Sequence, residues 1–420
     1  MKQLLIISIS IVICTTTFSQ ERDTIDLEQV YNLARSQYPI SKKQVLIEKS
    51  RDYTISNISK GWLPQFAVNG QASYQSDVTG IPVKLPNTEI PSLNKDQYKV
   101  YAEITQEIYD GGTKKLQKEQ ARVSAEVEQQ ALEVELYQLK TRLNELYFGI
   151  LYLQTQLRQS ELMRSDIQLG LDKIRAAISN GTALKSNADI LEADLLKTEQ
   201  RIVELQAAAK SYRKMLGLFI NRQVNENTVL IKPPVVTTSY VISRPEPELF
   251  EKEKKSVDIQ SAMVNTKTIP RLNLFLQGGY GRPGLNMLKN NFETYYVGGV
   301  RLNWSLSGLY TSKKEKARLD IKNQVLDLQK ETFLFNTQQT IQKQDAEIEK
   351  LKYLISSDST IVELRDRIKK TALAQLEYGV INSSDYLREV NAADQARQTQ
   401  FLHEIQLLRS MYDLKTTTGN

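Results

Sequence analysis

The sequence predicts a mainly α-helical fold with a β-barrel contribution, built twice along one chain. Three observations predict it. Long stretches carry a sustained heptad with almost no proline or glycine. Shorter stretches of about ten residues alternate apolar with polar side chains, the period of a strand. The same segments then recur in the same order further along the chain.

The recurrence is clearest in KEQAR at 118–122 and KEKAR at 314–318. The same shift of 196 residues carries Gly112 onto Gly308, Asp189-Ile190-Leu191 onto Asp385-Tyr386-Leu387, and Arg213 and Met215 onto Arg409 and Met411. Upstream the shift is 206: Pro39 matches Pro245, Asp52 matches Asp258, Pro64 matches Pro270, Gln71 matches Gln277 and Tyr74 matches Tyr280. One ten-residue insertion between Tyr74 and Val100 reconciles the two shifts. The chain therefore reads as a tandem duplication, roughly 26–217 and 245–413, of two large halves and not as a short-period solenoid.

Taken in order, residues 1–19 read as a secretory signal: Lys2, an apolar run from Leu4 to Cys14, and Thr17-Phe18-Ser19 as a small-residue cleavage site. The bulky Ile13 before Cys14 argues against lipid attachment there. The first repeat, 20–217, is expected to hold strands at about 66–76 and 98–109, a long helix at about 113–180 and a return helix at about 187–218. An inter-repeat segment, 218–246, carries Lys232-Pro233-Pro234 and Arg244-Pro245. The second repeat, 247–413, is expected to place strands at about 271–281 and 293–306, a long helix at about 310–378 and a return helix at about 385–412. Residues 414–420 read as a polar tail.

The helices follow from spacing. Leu132, Leu136, Leu139, Leu143, Leu146, Ile150, Leu153 and Leu157 are separated alternately by four and three residues, the seam of helices that pack along their length. From 113 to 180 there is no proline and only Gly149 and Gly170; at 1.5 Å per residue such a helix reaches roughly 100 Å. Leu334, Ile341, Ile348, Ile355 and Val362 mark every seventh residue of the second copy. The return segments repeat the seam as Leu191, Leu195, Thr198, Ile202, Leu205, Ala209, Tyr212 and Leu216, and as Phe401, Ile405, Leu408 and Tyr412. Between outgoing and returning runs stand Asn180-Gly181-Thr182 and Tyr378-Gly379-Val380, and glycine just past a periodic run stops a helix. From that glycine to the Asp-x-Leu motif is eight residues in the first copy and six in the second, so the two tips are expected to differ in shape.

The strands follow from period two. Phe66, Val68, Gly70, Ala72 and Tyr74 alternate with Ala67, Asn69, Gln71 and Ser73, and Tyr98, Val100, Ala102, Ile104 and Ile108 alternate with Lys99, Glu103, Thr105 and Glu107. The second copy gives Leu272, Leu274, Leu276, Gly278 and Tyr280, then Tyr296, Val300, Leu302, Trp304 and Leu306 against Glu293, Arg301, Asn303 and Ser305. This is the dyad of a membrane barrel strand, with lipid on one side and a wet lumen on the other; an ordinary sheet with one face on a soluble core gives the same pattern. On the barrel reading Glu103, Glu107, Arg301 and Asn303 face the lumen. Four strands cannot close a barrel, so the chain must share one with copies of itself. Three chains would supply twelve strands, and two or four copies are also arithmetically open.

Composition excludes much chemistry. After a signal the chain holds no cysteine and one histidine, His403, so thiol catalysis, a zinc site and a histidine-based triad lack their residues. Neither enzyme activity nor a cofactor is expected. The net charge of +6 is modest for 420 residues, with no compact basic and aromatic cluster for nucleic acid.

The order of elements resembles the TolC-like outer membrane efflux proteins. The marks are Trp62-Leu63-Pro64 before the first strand, Ile108-Tyr109-Asp110-Gly111-Gly112 leaving the second, and Tyr378-Gly379-Val380-Ile381 with Asp385-Tyr386-Leu387 at the second tip. The resemblance implies a homotrimer whose 12-stranded outer membrane barrel continues into an α-helical periplasmic tunnel. It also implies a periplasmic adaptor and an inner-membrane transporter as partners, with the inter-repeat segment in a belt around the tunnel. It places a gate near the tips: Asp385 matches an acidic position, Arg388 stands where some members have a second acid, and Asp189 and Glu192 are the first-copy equivalents. Asp385 reads equally as a helix N-cap. Asn180, Gly181, Thr182, Tyr378, Gly379 and Val380 would meet the partner. Lys114, Lys115, Lys118, Lys313, Lys314 and Lys316 follow the strands, where outer membrane lipid phosphates attract cations; a solvated charged face is the other reading. A periplasmic coiled-coil adaptor or a structural protein would share the helices but leaves the four alternating strands unexplained. The longer connection, 76–96, is expected outside the cell.

Overall fold

The computed structural model describes residues 23–79, 93–237 and 239–420. The signal segment and most of the 76–96 connection lie outside them. The elements are β1 (Thr24–Ile25), α1 (Leu27–Gln37), a 3-10 turn (Pro39–Lys42), α2 (Lys43–Lys60), β2 (Gln65–Tyr74), β3 (Asp96–Tyr109), α3 (Thr113–Ser179), α4 (Lys185–Ile220), β4 (Val229–Leu230), α5 (Glu246–Thr266), β5 (Arg271–Arg282), β6 (Glu293–Asn303), α6 (Gly308–Glu377) and α7 (Ser383–Thr418). The order α2-β2-β3-α3-α4 recurs as α5-β5-β6-α6-α7. The fold is thus mostly helical with a small antiparallel sheet.

Each long helix is unbroken because its sequence offers nothing to break it. The α3 seam is buried from Leu132 to Ile150 and half-buried at Leu153 and Leu157. Both glycines of α3 admit a ring. A Cβ on Gly149 would lie 2.6 Å from Tyr212, and one on Gly170 would lie 2.4 Å from Tyr386. They cost helix propensity but let a return helix approach closely.

Two compact units divide the chain. One comprises Met1–Tyr38, Leu139–Thr238 and Gln344–Leu414. Its core gathers Ile167, Leu171 and Ile174 of α3, Leu191 of α4, Ala372 and Leu376 of α6, and Tyr386 and Val390 of α7. In the same unit β1 pairs in parallel with β4, and the buried Tyr147 hydroxyl lies within hydrogen-bond distance of the carbonyls of Ile25 and Ile231, 2.9 and 2.7 Å away, and donates its one hydrogen between them. A polar layer interrupts this unit's apolar seam. Gln159 donates to the buried Asp394 at 3.1 Å, with Gln398 and Arg201 beside it. Burial pushes the Asp394 carboxyl above its ordinary range, against the pull of Gln159 and Arg201.

The other unit comprises Pro39–Gln138, Ser239–Lys343 and Lys415–Asn420. It holds the four-stranded sheet, order β2-β3-β5-β6 and antiparallel throughout. A small core of Val257 and Val264 from α5 with Leu319 and Leu326 from α6 packs in the same unit.

Several features differ from the sequence reading. β6 ends at Asn303, paired with Arg271, the first residue of β5. Pro270 has no N–H to extend the ladder, so Trp304 and Leu306 leave the strand, and the Trp304 indole donates to the Thr268 carbonyl at 3.0 Å. At Ile108 a bulge breaks the alternation: Glu107 pairs with Asn273 and Tyr109 with Leu272. α4 runs to Ile220 and stops at Asn221 in the left-handed conformation, φ 49°. The supposed polar tail is helix through Thr418: Leu414 and Thr418 are fully buried, the Ser243 N–H donates to the Thr418 carbonyl at 2.6 Å, and Tyr137 donates to the Thr416 carbonyl at 2.7 Å.

Candidate functional site

The sheet has two chemically distinct faces. The register aligns Phe66 with Ile104 and Leu276, and Val68 with Ala102. Leu274 stands opposite Val300 and Leu272 opposite Leu302. All point to one side. Most are exposed in the single chain, Phe66 at 77% and Val68 at 79%, while Ile104 and Leu272 are half-exposed. Aromatic side chains stand at both ends of this apolar face. Trp62, Phe66, Tyr109 and Trp304 mark one end; Tyr74, Tyr98, Tyr280 and Tyr296 mark the other. From Phe66 to Tyr74 is eight residue steps, roughly 27 Å along an antiparallel strand.

The opposite face is polar. Glu103 stands opposite Gln277, and Arg301 opposite Asn273. Arg301 crosses to Glu103 at 3.1 Å and lies over the Phe275 ring, 4.5 Å from its centroid. Asn303 ends the same row. Glu107, expected in this row, instead forms an ion pair with Lys114. The bulge beside it and the turn into α3 bring the two together.

That turn is built by Asp110. Its carboxylate accepts from the Gly112 and Lys114 N–H groups at 2.8 and 2.7 Å, satisfying orphan donors at the start of α3. Gly111 and Gly112 take positive φ, 68° and 85°, and a Cβ on Gly111 would meet Ile269 at 2.8 Å. Lys114 also lies 4.3 Å from the Trp62 ring centroid. Lys114 is therefore committed within the chain, which corrects its reading as a lipid-facing cation. Lys115, Lys313 and Lys314 are exposed and Lys118 and Lys316 half-exposed; none has an ion pair among the described residues.

The two helical tips share one turn. Thr182 N–H bonds to the Ala177 carbonyl at 2.9 Å, and Val380 N–H to the Gln375 carbonyl at 2.8 Å. Gly181 and Gly379 supply φ of 74° and 69°, as a Schellman stop requires. Five residues, 180–184 and 378–382, separate the helices in both copies. The expected difference in tip shape does not lie in the turn. It lies in register: the tip glycines are 198 residues apart, whereas the flanking motifs are 196 apart. The second outgoing arm is two residues longer and its return arm two shorter. Pairing along the hairpin slips by four residues, about one helical turn.

Capping also differs. The Asn382 side chain accepts from the Asp385 N–H at 2.9 Å, so Asn382 is the cap and Asp385 is not. Leu184 stands at the corresponding place before α4 and makes no side-chain cap. Asp385 sits in the first turn of α7 and meets Arg388 at 3.2 Å, while Arg388 also meets Glu389 at 3.2 Å. An open groove joins Asp385, Arg388 and Glu389 with Leu364, Ile368 and Ile381. Glu192 pairs with Arg175 at 3.5 Å; Asp189 is exposed. Tyr378 and Val380 are exposed at the second tip and Asn180, Gly181 and Thr182 at the first.

The sequence reading missed Asp110 and Asn382. Both precede a periodic run, which is the signal for a cap. His403 pairs with Asp358 at 2.7 Å and takes no part in any cluster able to hold a metal among the described residues. Among those residues no helix is long and apolar enough to cross a membrane.

No protein-family model matches the chain, and no curated protein sequence matches it. Solved structures do. The outer membrane channel OprN superposes with a TM-score of 0.69 at 13% identity, over 94% of this chain and 89% of that one. The outer membrane protein VceC of Vibrio cholerae gives 0.66 at 12%, over 94% and 96%. The open-state MtrE outer membrane channel of Neisseria gonorrhoeae gives 0.66 at 15%, over 94% and 89%. At these identities the likeness is one of fold, and it spans nearly the whole chain.

Proposed function

We propose that this chain is one protomer of an outer membrane channel, the exit duct of a tripartite efflux or secretion system. The observation that carries the reading is the open sheet with an uncovered apolar face bounded by aromatic residues. Strands of this length, tilted as barrel strands are, match an apolar band about 25 Å tall with aromatic girdles. The two unpaired edges, β2 and β6, close only on further copies, and three copies give twelve strands. The fold likeness to outer membrane channels supports the same reading.

In this reading the Glu103–Arg301 face lines the lumen, and the helical hairpins continue the passage into the periplasm. The six tips of a trimer, at Gly181 and Gly379, meet a periplasmic adaptor that joins the duct to an inner-membrane transporter. The protein works by passage and not by chemistry. Cell fractionation followed by sizing in detergent tests the proposal: the chain is expected in the outer membrane at the mass of three copies. Recovery as a soluble periplasmic monomer would refute it.

Asp385 sets the charge at the narrowest point, with Arg388 held against it. Removing one carboxylate per chain, three in a trimer, weakens cation attraction there. Asp385→Asn should raise single-channel conductance or weaken block by multivalent cations while assembly persists. Unchanged conductance and block would leave Asp385 only its favourable place in the first turn of a helix.

A further inference from the structure

We propose that the strand-to-helix junction of the first repeat is a binding site for the headgroup phosphate of an anionic phospholipid. The proposal rests on the outer membrane reading and adds a ligand to it. A pocket of about 600 Å³ opens between the end of β3 and the first turns of α3, walled by Trp62, Tyr109 and Leu116 and rimmed by Lys115, Lys118 and Arg122. Its side of the sheet is the apolar one: past the bulge Tyr109 is in register with Leu272, and the Gln106 amide donates to the Trp62 carbonyl at 2.5 Å.

Charge in the pocket is unevenly committed. Both acids that line it are engaged, Asp110 with backbone N–H groups and Glu119 with Arg122 at 3.5 Å. The α3 N-terminus is thereby filled and is not the site. Lys114 is spent on Glu107 and on the Trp62 ring, which it pins in place. Lys115 and Lys118 remain without an ion pair among the described residues. Two free ammonium groups beside a fixed aromatic wall, at the end of an apolar face, suit a phosphate diester whose acyl chains run along that face. A net-negative headgroup fits better than a zwitterionic one, which brings its own cation to the two lysines.

The second repeat lacks the arrangement. It keeps Lys314, Glu315 and Arg318 where the first has Lys118, Glu119 and Arg122. It has Tyr310 and Thr311 in place of Lys114 and Lys115. Its Trp304 is turned to the Thr268 carbonyl, and Glu315 is paired with Lys267 at 2.7 Å. The molecule therefore contains its own control.

The chain has two tryptophans, so Trp304→Phe leaves Trp62 as sole reporter. The full-length trimer is reconstituted into phosphatidylcholine vesicles containing a minor fraction of brominated phosphatidylglycerol or brominated phosphatidylcholine. Trp62 quenching should favour the anionic lipid about thirtyfold, the expectation for two basic residues near a headgroup. Lys115→Gln with Lys118→Gln should bring the ratio close to one; Lys313→Gln with Lys314→Gln should leave it unchanged. Equal quenching by both lipids overturns the site and leaves the membrane reading standing. So does loss of the preference in millimolar inorganic phosphate, which would mark a site for a soluble anion. Quenching by neither lipid removes both readings.

Discussion

The two outgoing helices, α3 and α6, hold corresponding places in the two repeats but spend their apolar residues differently. α3 buries Leu132, Leu143, Tyr147, Phe148, Ile150, Ile167 and Leu171 inside the chain. α6 buries Ile341, Ile348 and Leu351 but leaves Ile321, Val325, Leu328 and Phe335 exposed at heptad spacing. Both glycines interrupting the first helix receive a tyrosine ring, and the second helix has none to offer between 310 and 377. Duplication thus supplied two copies of one element, and divergence left the second more exposed over 321–335, although it also buries Leu319, Leu326, Ala372 and Leu376. In the trimer proposed above, the stripe on α6 is expected to meet a second copy.

Replacing a core residue of α3 should break the comparison hardest. Leu143 is 1% exposed, and Leu143→Ala should cost about 2–5 kcal/mol through lost burial and a residual cavity. Chemical denaturation followed by helical circular dichroism measures it. On α6, Leu328→Glu with Phe335→Glu should leave that denaturation curve nearly in place, since exposed substitutions typically change stability by about 0.5 kcal/mol or less, while the trimer dissociates on size-exclusion chromatography. An unchanged trimer would show that the stripe faces something other than a sister chain.

Gly170→Ala sharpens the same contrast. Propensity alone favours alanine by about 1 kcal/mol, but the Tyr386 ring occupies the space, and overpacking costs about 1–3 kcal/mol. The substitution should destabilise the wild-type chain and turn neutral or stabilising beside Tyr386→Leu, a sign change that a double-mutant cycle detects. The smallest effect belongs to the tips: Asn382→Ala should cost about 1 kcal/mol as a lost cap, whereas Leu184→Ala should cost nothing by capping. Amide exchange at the first turns of α7 and α4 distinguishes them.

The repeat, the heptads and the strand faces were legible because each is a period, and a period survives in one dimension. Val68 and Leu274 announce a face by their neighbours' polarity alone. The bulge at Ile108 was not legible, because a bulge is a property of two strands and only one is local. Nor was the pairing of Lys114 with Glu107, since the same seven-residue separation inside one helix would also set them on one face. Asp385 shows a different failure: Asp is a good cap, but Asn382 three residues earlier is another, and only the position of the tip glycine decides between them. The C-terminal residues looked like a tail because threonine and lysine carry no apolar signal, yet the Thr416 and Thr418 carbonyls have partners waiting in Tyr137 and Ser243.

The open sheet has a consequence for the life of the chain before it reaches any membrane. Among the described residues β2 and β6 are the sheet's edges and each has a strand partner on one side only, and one broad face is greasy. In water such a surface templates indiscriminate pairing with other chains. If the chain is the trimer protomer proposed above, a lone copy has no resting state in which all its parts are satisfied, and its folding is coupled to its encounter with its sisters. On that reading maturation is steeply concentration-dependent, and a chain of this design crossing water on its way to a membrane needs an escort that shields the strands during transit.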